Sequence, residues 1–126
     1  MAEPLVWILH AGYLWLALGL GLLGGAMLWD VIPRSSGVHA LTAGAIGVMT
    51  LAVMTRATLG HTGRERRADR PTLVVYLLIN AAALVRIVAP LSAEWMIPLL
   101  VLSGVLWSGA FAIFAATYGP MLAQRR

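Results

Sequence analysis

Three histidines and two arginines are the residues of this sequence best equipped for chemistry. His10, His39 and His61 carry imidazoles that can ligate a metal, hold a haem iron or exchange a proton near neutral pH. Arg56 and Arg86 carry fixed cations suited to carboxylates and phosphates. All five lie within or at the edge of long apolar runs, where an ionisable side chain is costly and marks a site of interest. Cysteine is absent, which removes disulfides, thiolate zinc sites, iron–sulfur clusters and a thiol nucleophile. Asp30, Glu65, Asp69 and Glu94 all fall outside the apolar runs, so a carboxylate proton path through a bilayer has no support. Nor does the sequence contain a nucleophile triad, a paired-carboxylate site or a phosphate loop.

The elements that must position these residues are transmembrane helices. The 126 residues are 60% hydrophobic and 11% charged, with a mean hydropathy of +0.85. A bilayer core of ~30 Å takes about 20 apolar residues per helix. Four such runs predict an all-α integral membrane four-helix bundle, a single domain with spans at about 5–29, 38–59, 72–89 and 95–118. Asp30, Pro33, Arg34, Ser35, Ser36 and Gly37 read as the first turn, and Gly60 as the cap of the second span. Pro71 suits the start of the third span, and Gly119-Pro120 the end of the fourth. The first run lacks a basic flank and is too long for a cleaved signal peptide, so it reads as a retained helix.

The net charge of +4 gathers in one loop and the C-terminus instead of forming a nucleic-acid-binding face. Arg64, Arg66, Arg67 and Arg70 stand there against Glu65 and Asp69, with Arg125 and Arg126 in the tail. The positive-inside rule therefore places that loop and both termini in the cytoplasm. His10 then lies ~7 Å below the cytoplasmic boundary. It shares a helical face with Ala17, Gly21 and Leu28, and is expected to point along a small-residue stripe into the bundle. His39 opens the second span at the opposite boundary, with Thr42, Ile46 and Thr50 on its face, and Arg86 belongs at similar depth. His10 and His39 are thus ~25–30 Å apart along the bundle and cannot ligate one iron in one protomer. His10 and His61 share an end, near Arg56 and Arg64.

Plain structural roles compete at each position. His10 could be a satisfied packing residue, His39 a wetted interfacial one, and His61 a cation at the negative end of a helix dipole. Small residues recur at Ala17, Gly21 and Gly24, and at Gly104, Ser108, Ala112 and Ala116. Such stripes let helices approach closely in lipid, and can also make room for a flat cofactor.

The stretch from His39 to Arg64, HALTAGAIGVMTLAVMTRATLGHTGR, resembles the signature of the NnrS family. Leu9-His10-Ala11-Gly12-Tyr13-Leu14-Trp15 precedes it, and Arg86-Ile87-Val88-Ala89-Pro90, Trp107, Ala110-Phe111 and Tyr118-Gly119-Pro120 follow. Family members are longer, and the resemblance is to their C-terminal third; their His-x-His-Glu segment has no counterpart here. The resemblance implies a multi-pass protein of the bacterial inner membrane that contains haem and copper and serves the response to nitric oxide or nitrosative stress. It marks His10, His39, Arg56, His61 and Arg86 as motif positions, with the three histidines as candidate metal ligands for haem b or copper. His10 is the expected axial ligand, and His61 its same-side partner. Such a chain is a binding or protective protein more than a turnover enzyme. Two other readings stand beside it: a small accessory subunit docking on a larger membrane complex, and a transporter or channel half completed by homo-oligomerisation.

Overall fold

The computed structural model describes residues 3–124; Arg125 and Arg126, used above for orientation, lie outside them. Four helices are long and apolar enough to cross a membrane: α1 (Pro4–Leu28), α2 (Arg34–His61), α3 (Arg70–Leu91) and α4 (Met96–Ala123). The described residues contain no strand. In the most apolar stretch of each helix, 44% of α2 and 39% of α3 is buried, against 22% of α1 and 17% of α4. The two central helices therefore form the core, with α1 packed on α2 and α4 on α3.

Local chemistry explains the helix ends. Asp69 caps α3, its carboxylate accepting from the Thr72 amide at 3.0 Å and the Thr72 hydroxyl at 2.6 Å. Pro71 occupies the first turn as expected, where its missing N–H has no cost. The second span starts earlier than predicted. Pro33 precedes Arg34 with its φ already near the helical value, and Ser36 and Gly37 are buried helical residues instead of turn. A Cβ on Gly37 would lie 2.9 Å from the Leu23 backbone nitrogen, so only glycine permits that approach.

The cap of α2 is Gly63, not Gly60. Gly63 adopts φ 64°, Arg64 N donates to Leu59 O at 3.0 Å, and Gly63 N to Gly60 O at 3.2 Å, a Schellman ending. At the far end of the chain α4 continues through Gly119-Pro120 to Ala123. Pro120 forfeits one ladder bond, but unwinding there would leave further amides unpaired, so the helix carries on.

Polar side chains tie the helices together. Trp15 Nε1 of α1 donates to Asn80 Oδ1 of α3 at 2.7 Å, and Asn80 Nδ2 donates to Tyr76 O at 2.8 Å. Between α2 and α3, the Thr55 and Tyr76 hydroxyls lie 2.5 Å apart, and Ser36 Oγ donates to Ile87 O at 2.9 Å. Between α3 and α4, Thr72 Oγ1 pairs with Tyr118 OH at 2.5 Å, and Ser103 Oγ donates to Ala82 O at 2.8 Å. No buried side-chain nitrogen or oxygen among the described residues lacks a partner.

Both described ends gather at the arginine-rich segment. Ala68 N donates to Glu3 Oε1 at 3.2 Å, and Gln124 lines a pocket with His61 and Arg64. Ser35 is the second residue of the 28-residue α2, ~42 Å long, and Arg67 lies six residues beyond its end, so single cysteines there should label from opposite sides of the membrane. Labelling from one side would remove the four-span topology. Asn80→Leu leaves the Trp15 indole N–H without its acceptor and should lower stability by roughly 1 kcal/mol in detergent melts.

Candidate functional site

A groove of about 330 Å³ opens between α2, α3 and α4, near the end of the bundle opposite the arginine-rich segment. It is lined by His39, Thr42 and Ala43 of α2, Arg86 of α3, and Ser103, Gly104, Trp107 and Ser108 of α4. His39 and Arg86 are half-buried, and both sit about five residues from a helix end, the similar depth that counting along the spans implies.

The α2 wall is not regular α-helix. Residues Ala40–Ile46 wind as a π-helix directly after His39, with Gly47 N donating to Thr42 O across the wider turn. His39 consequently faces the groove with Thr42 and Ala43, while Ile46 and Thr50, expected on its face, are exposed elsewhere. Gly44, inside the π segment, lies against the Trp15 ring, which a Cβ would approach to 2.9 Å. On the α4 side the Trp107 indole packs on Gly47, where a Cβ would stand 3.2 Å from Nε1, and the ring tilts against Phe111 at 4.3 Å.

Hydrogen bonding divides the lining into two groups. Thr42 Oγ1 donates to Val38 O and Ser103 Oγ to Ala82 O, so both are satisfied within the protein. The His39 imidazole, the Arg86 guanidinium, the Trp107 indole N–H and the Ser108 hydroxyl make no hydrogen bond to the described residues. Four polar groups with free capacity on one groove make a site for a polar or anionic ligand with an apolar body.

The other sequence candidates go elsewhere. His10 is exposed on the outer face of α1, not turned into the bundle. It does share that face with Ala17, Gly21 and Leu28, but all of them point outward. Its Nδ1 lies 3.0 Å from Val6 O; since a carbonyl only accepts, Nδ1–H is the donor. His61 is exposed in a second pocket with Arg64, which His10 does not line. Arg56 is half-buried and donates from Nη1 to Leu5 O at 3.3 Å, bent toward the bundle end. Among the described residues no three His, Cys, Asp or Glu side chains come together as a metal-binding group. The small-residue stripe of α4 is divided: Gly104 and Ser108 line the groove, while Ala112 and Ala116 are exposed beyond it. Trp107 and Ser108 lie just over three turns into α4, deeper than Arg86, and counting along the spans did not mark them as groove residues.

Four apolar helices and an open, donor-rich groove at one end define a multi-pass helical membrane protein. The family model described as NnrS protein matches residues 1–126, the whole chain, and the chain belongs to that family. No curated protein and no solved structure matches it.

The two glycines that flank this region should respond oppositely to enlargement. Nothing lies within 4 Å of a Cβ on Gly104, so Gly104→Leu should fill the groove and leave stability within about 0.5 kcal/mol. Gly44→Leu must displace Trp15 and should cost about 1–3 kcal/mol in the same melts.

Proposed function

We propose that this chain is a haem-binding protein of the bacterial inner membrane, with both termini cytoplasmic, that acts in the response to nitric oxide or nitrosative stress. The observation that carries the reading is the pairing of His39 and Arg86 on one groove, each without a hydrogen-bond partner among the described residues. The donor set suits a b-type haem, because no cysteine is present for covalent attachment. His39 would be the axial imidazole, and Arg86 the cation for a propionate. Trp107, Ala43 and Gly104 would give the flat, uncluttered wall that a macrocycle needs. Haem held there would supply an iron that coordinates small ligands such as nitric oxide. His39 then replaces His10 as the favoured axial ligand, since the His10 face turns outward.

Copper fits less well on this chain alone. With no gathered trio of His, Cys, Asp or Glu among the described residues, a copper ion would complete its shell from outside the chain. That favours a partner, which the outward stripe of α1 also accommodates. A homo-oligomer or an accessory role beside a larger membrane subunit is the second reading.

The test is an absorption spectrum with metal analysis on protein expressed with haem and copper supplied. Wild type should show a Soret band that His39→Ala shifts or abolishes, that Arg86→Ala weakens, and that Glu65→Ala leaves intact. Loss of the band in His10→Ala, with His39→Ala unchanged, would return the ligand role to His10. Wild type devoid of both haem and copper would end the cofactor reading, leaving the accessory-subunit reading in its place.

A further inference from the structure

The arginine-rich end carries its own pocket, of about 530 Å³, lined by His61, Thr62 and Arg64 at the end of α2 and by Met121, Leu122 and Gln124 at the end of α4. We infer that it seats the phosphodiester headgroup of an anionic phospholipid, with the first carbons of the lipid against Met121 and Leu122.

The pocket is two-faced in the way such a ligand requires. One wall offers the Arg64 guanidinium and the His61 imidazole, while the other offers Met121 and Leu122, the latter exposed to 61%, with the Gln124 amide beside them. It also stands at the boundary where α2 leaves the apolar layer, the depth at which lipid phosphates lie.

Charge favours an anion throughout the segment. Arg64, Arg66, Arg67 and Arg70 face only Glu65 and Asp69 in sequence, and no ion pair joins any of these arginines to a described residue. Asp69 is occupied by Thr72, and Glu3, which reaches the segment from α1, accepts from Ala68 N. The carbonyls at the end of α2 would repel a phosphate if left bare. Those of Leu59 and Gly60 are covered by the amides of Arg64 and Gly63, and the Arg66 guanidinium lies 3.5 Å from where a Gly60 Cβ would stand. The Schellman ending also fixes the backbone of Arg64, so its side chain starts from a set position beside the pocket.

Native mass spectrometry of the full chain, purified in mild detergent with defined lipids added, reads this directly. Wild type should retain phosphatidylglycerol over phosphatidylcholine, and Arg64→Gln should weaken that retention about tenfold, the loss expected of one charge-assisted contact. Arg34→Gln, at the other end of the bundle, should retain lipid as wild type does. If Arg64→Gln does not fold by circular dichroism, His61→Gln carries the same comparison. Equal retention of phosphatidylcholine, or full retention in the folded pocket variant, overturns the assignment. Inorganic phosphate alone raising the melting temperature as much as phosphatidylglycerol does would mark a free-anion site and likewise overturn it. The readout needs no haem, so its result stands apart from that of the cofactor proposal.

Discussion

A bilayer offers no water to an unpaired polar group, and in this protein that constraint is met almost entirely through α3. Tyr76 and Ile87 receive α2, Asn80 receives α1, and Thr72 and Ala82 receive α4, so five interhelical side-chain hydrogen bonds end on one helix. Each is worth only about 0.6 kcal/mol on average in a membrane protein. Their larger effect is on rotation, because a helix turned by one residue would strand both partners in hydrocarbon. Asn80 does most here, since its amide is oriented by Tyr76 O on one side and offers its oxygen to Trp15 on the other.

That hub has consequences for both surfaces and sites. With α2 and α3 central, α1 and α4 are left on the flanks; the small-residue stripe of α1 faces outward, while that of α4 runs from the groove at Gly104 and Ser108 to exposed Ala112 and Ala116. The close contacts within the chain use other small residues: Gly37 on the Leu23 backbone, Gly44 under Trp15 and Gly47 beneath Trp107. The groove arises where α4 leans on α3 through Ser103 while Trp107 reaches across to α2, leaving His39 and Arg86 beside the space.

Much of this was legible in the sequence, and the failures share a cause. Apolar length gave all four helices, Pro71 marked the start of α3, and counting residues matched the depths of His39 and Arg86. Helical spacing also grouped His10 correctly with Ala17, Gly21 and Leu28. What spacing could not give was the direction that face turns. In water a polar face turns out and an apolar face turns in, but α1 is apolar all round, and lipid accepts either side. The π-helical turn after His39 was hidden for a related reason, since no local propensity marks it and it coincides with a long-range contact, the Trp15 ring packed on Gly44. Gly63 was passed over for Gly60 because both glycines suit a helix end, and only the positive φ separates them. Pro120 misled because proline ends helices in water, where the amides beyond it can be solvated.

The balance of donors and acceptors narrows what the groove can hold. Arg86 brings five N–H donors and no acceptor, and Trp107 brings one donor and no acceptor. The Thr42 and Ser103 hydroxyl hydrogens are already spent on carbonyls of the protein itself. The oxygens of Thr42, Ser103 and Ser108 and one nitrogen of the His39 imidazole remain able to accept, so the free donors of the groove are concentrated on Arg86 and Trp107. A cationic ligand, such as a protonated amine, would meet the fixed charge of Arg86. A ligand rich in acceptors, or one that takes the imidazole nitrogen as a metal ligand, satisfies the groove on both counts. The carboxylates and the iron of a haem have that combination, whereas a cationic substrate lacks it.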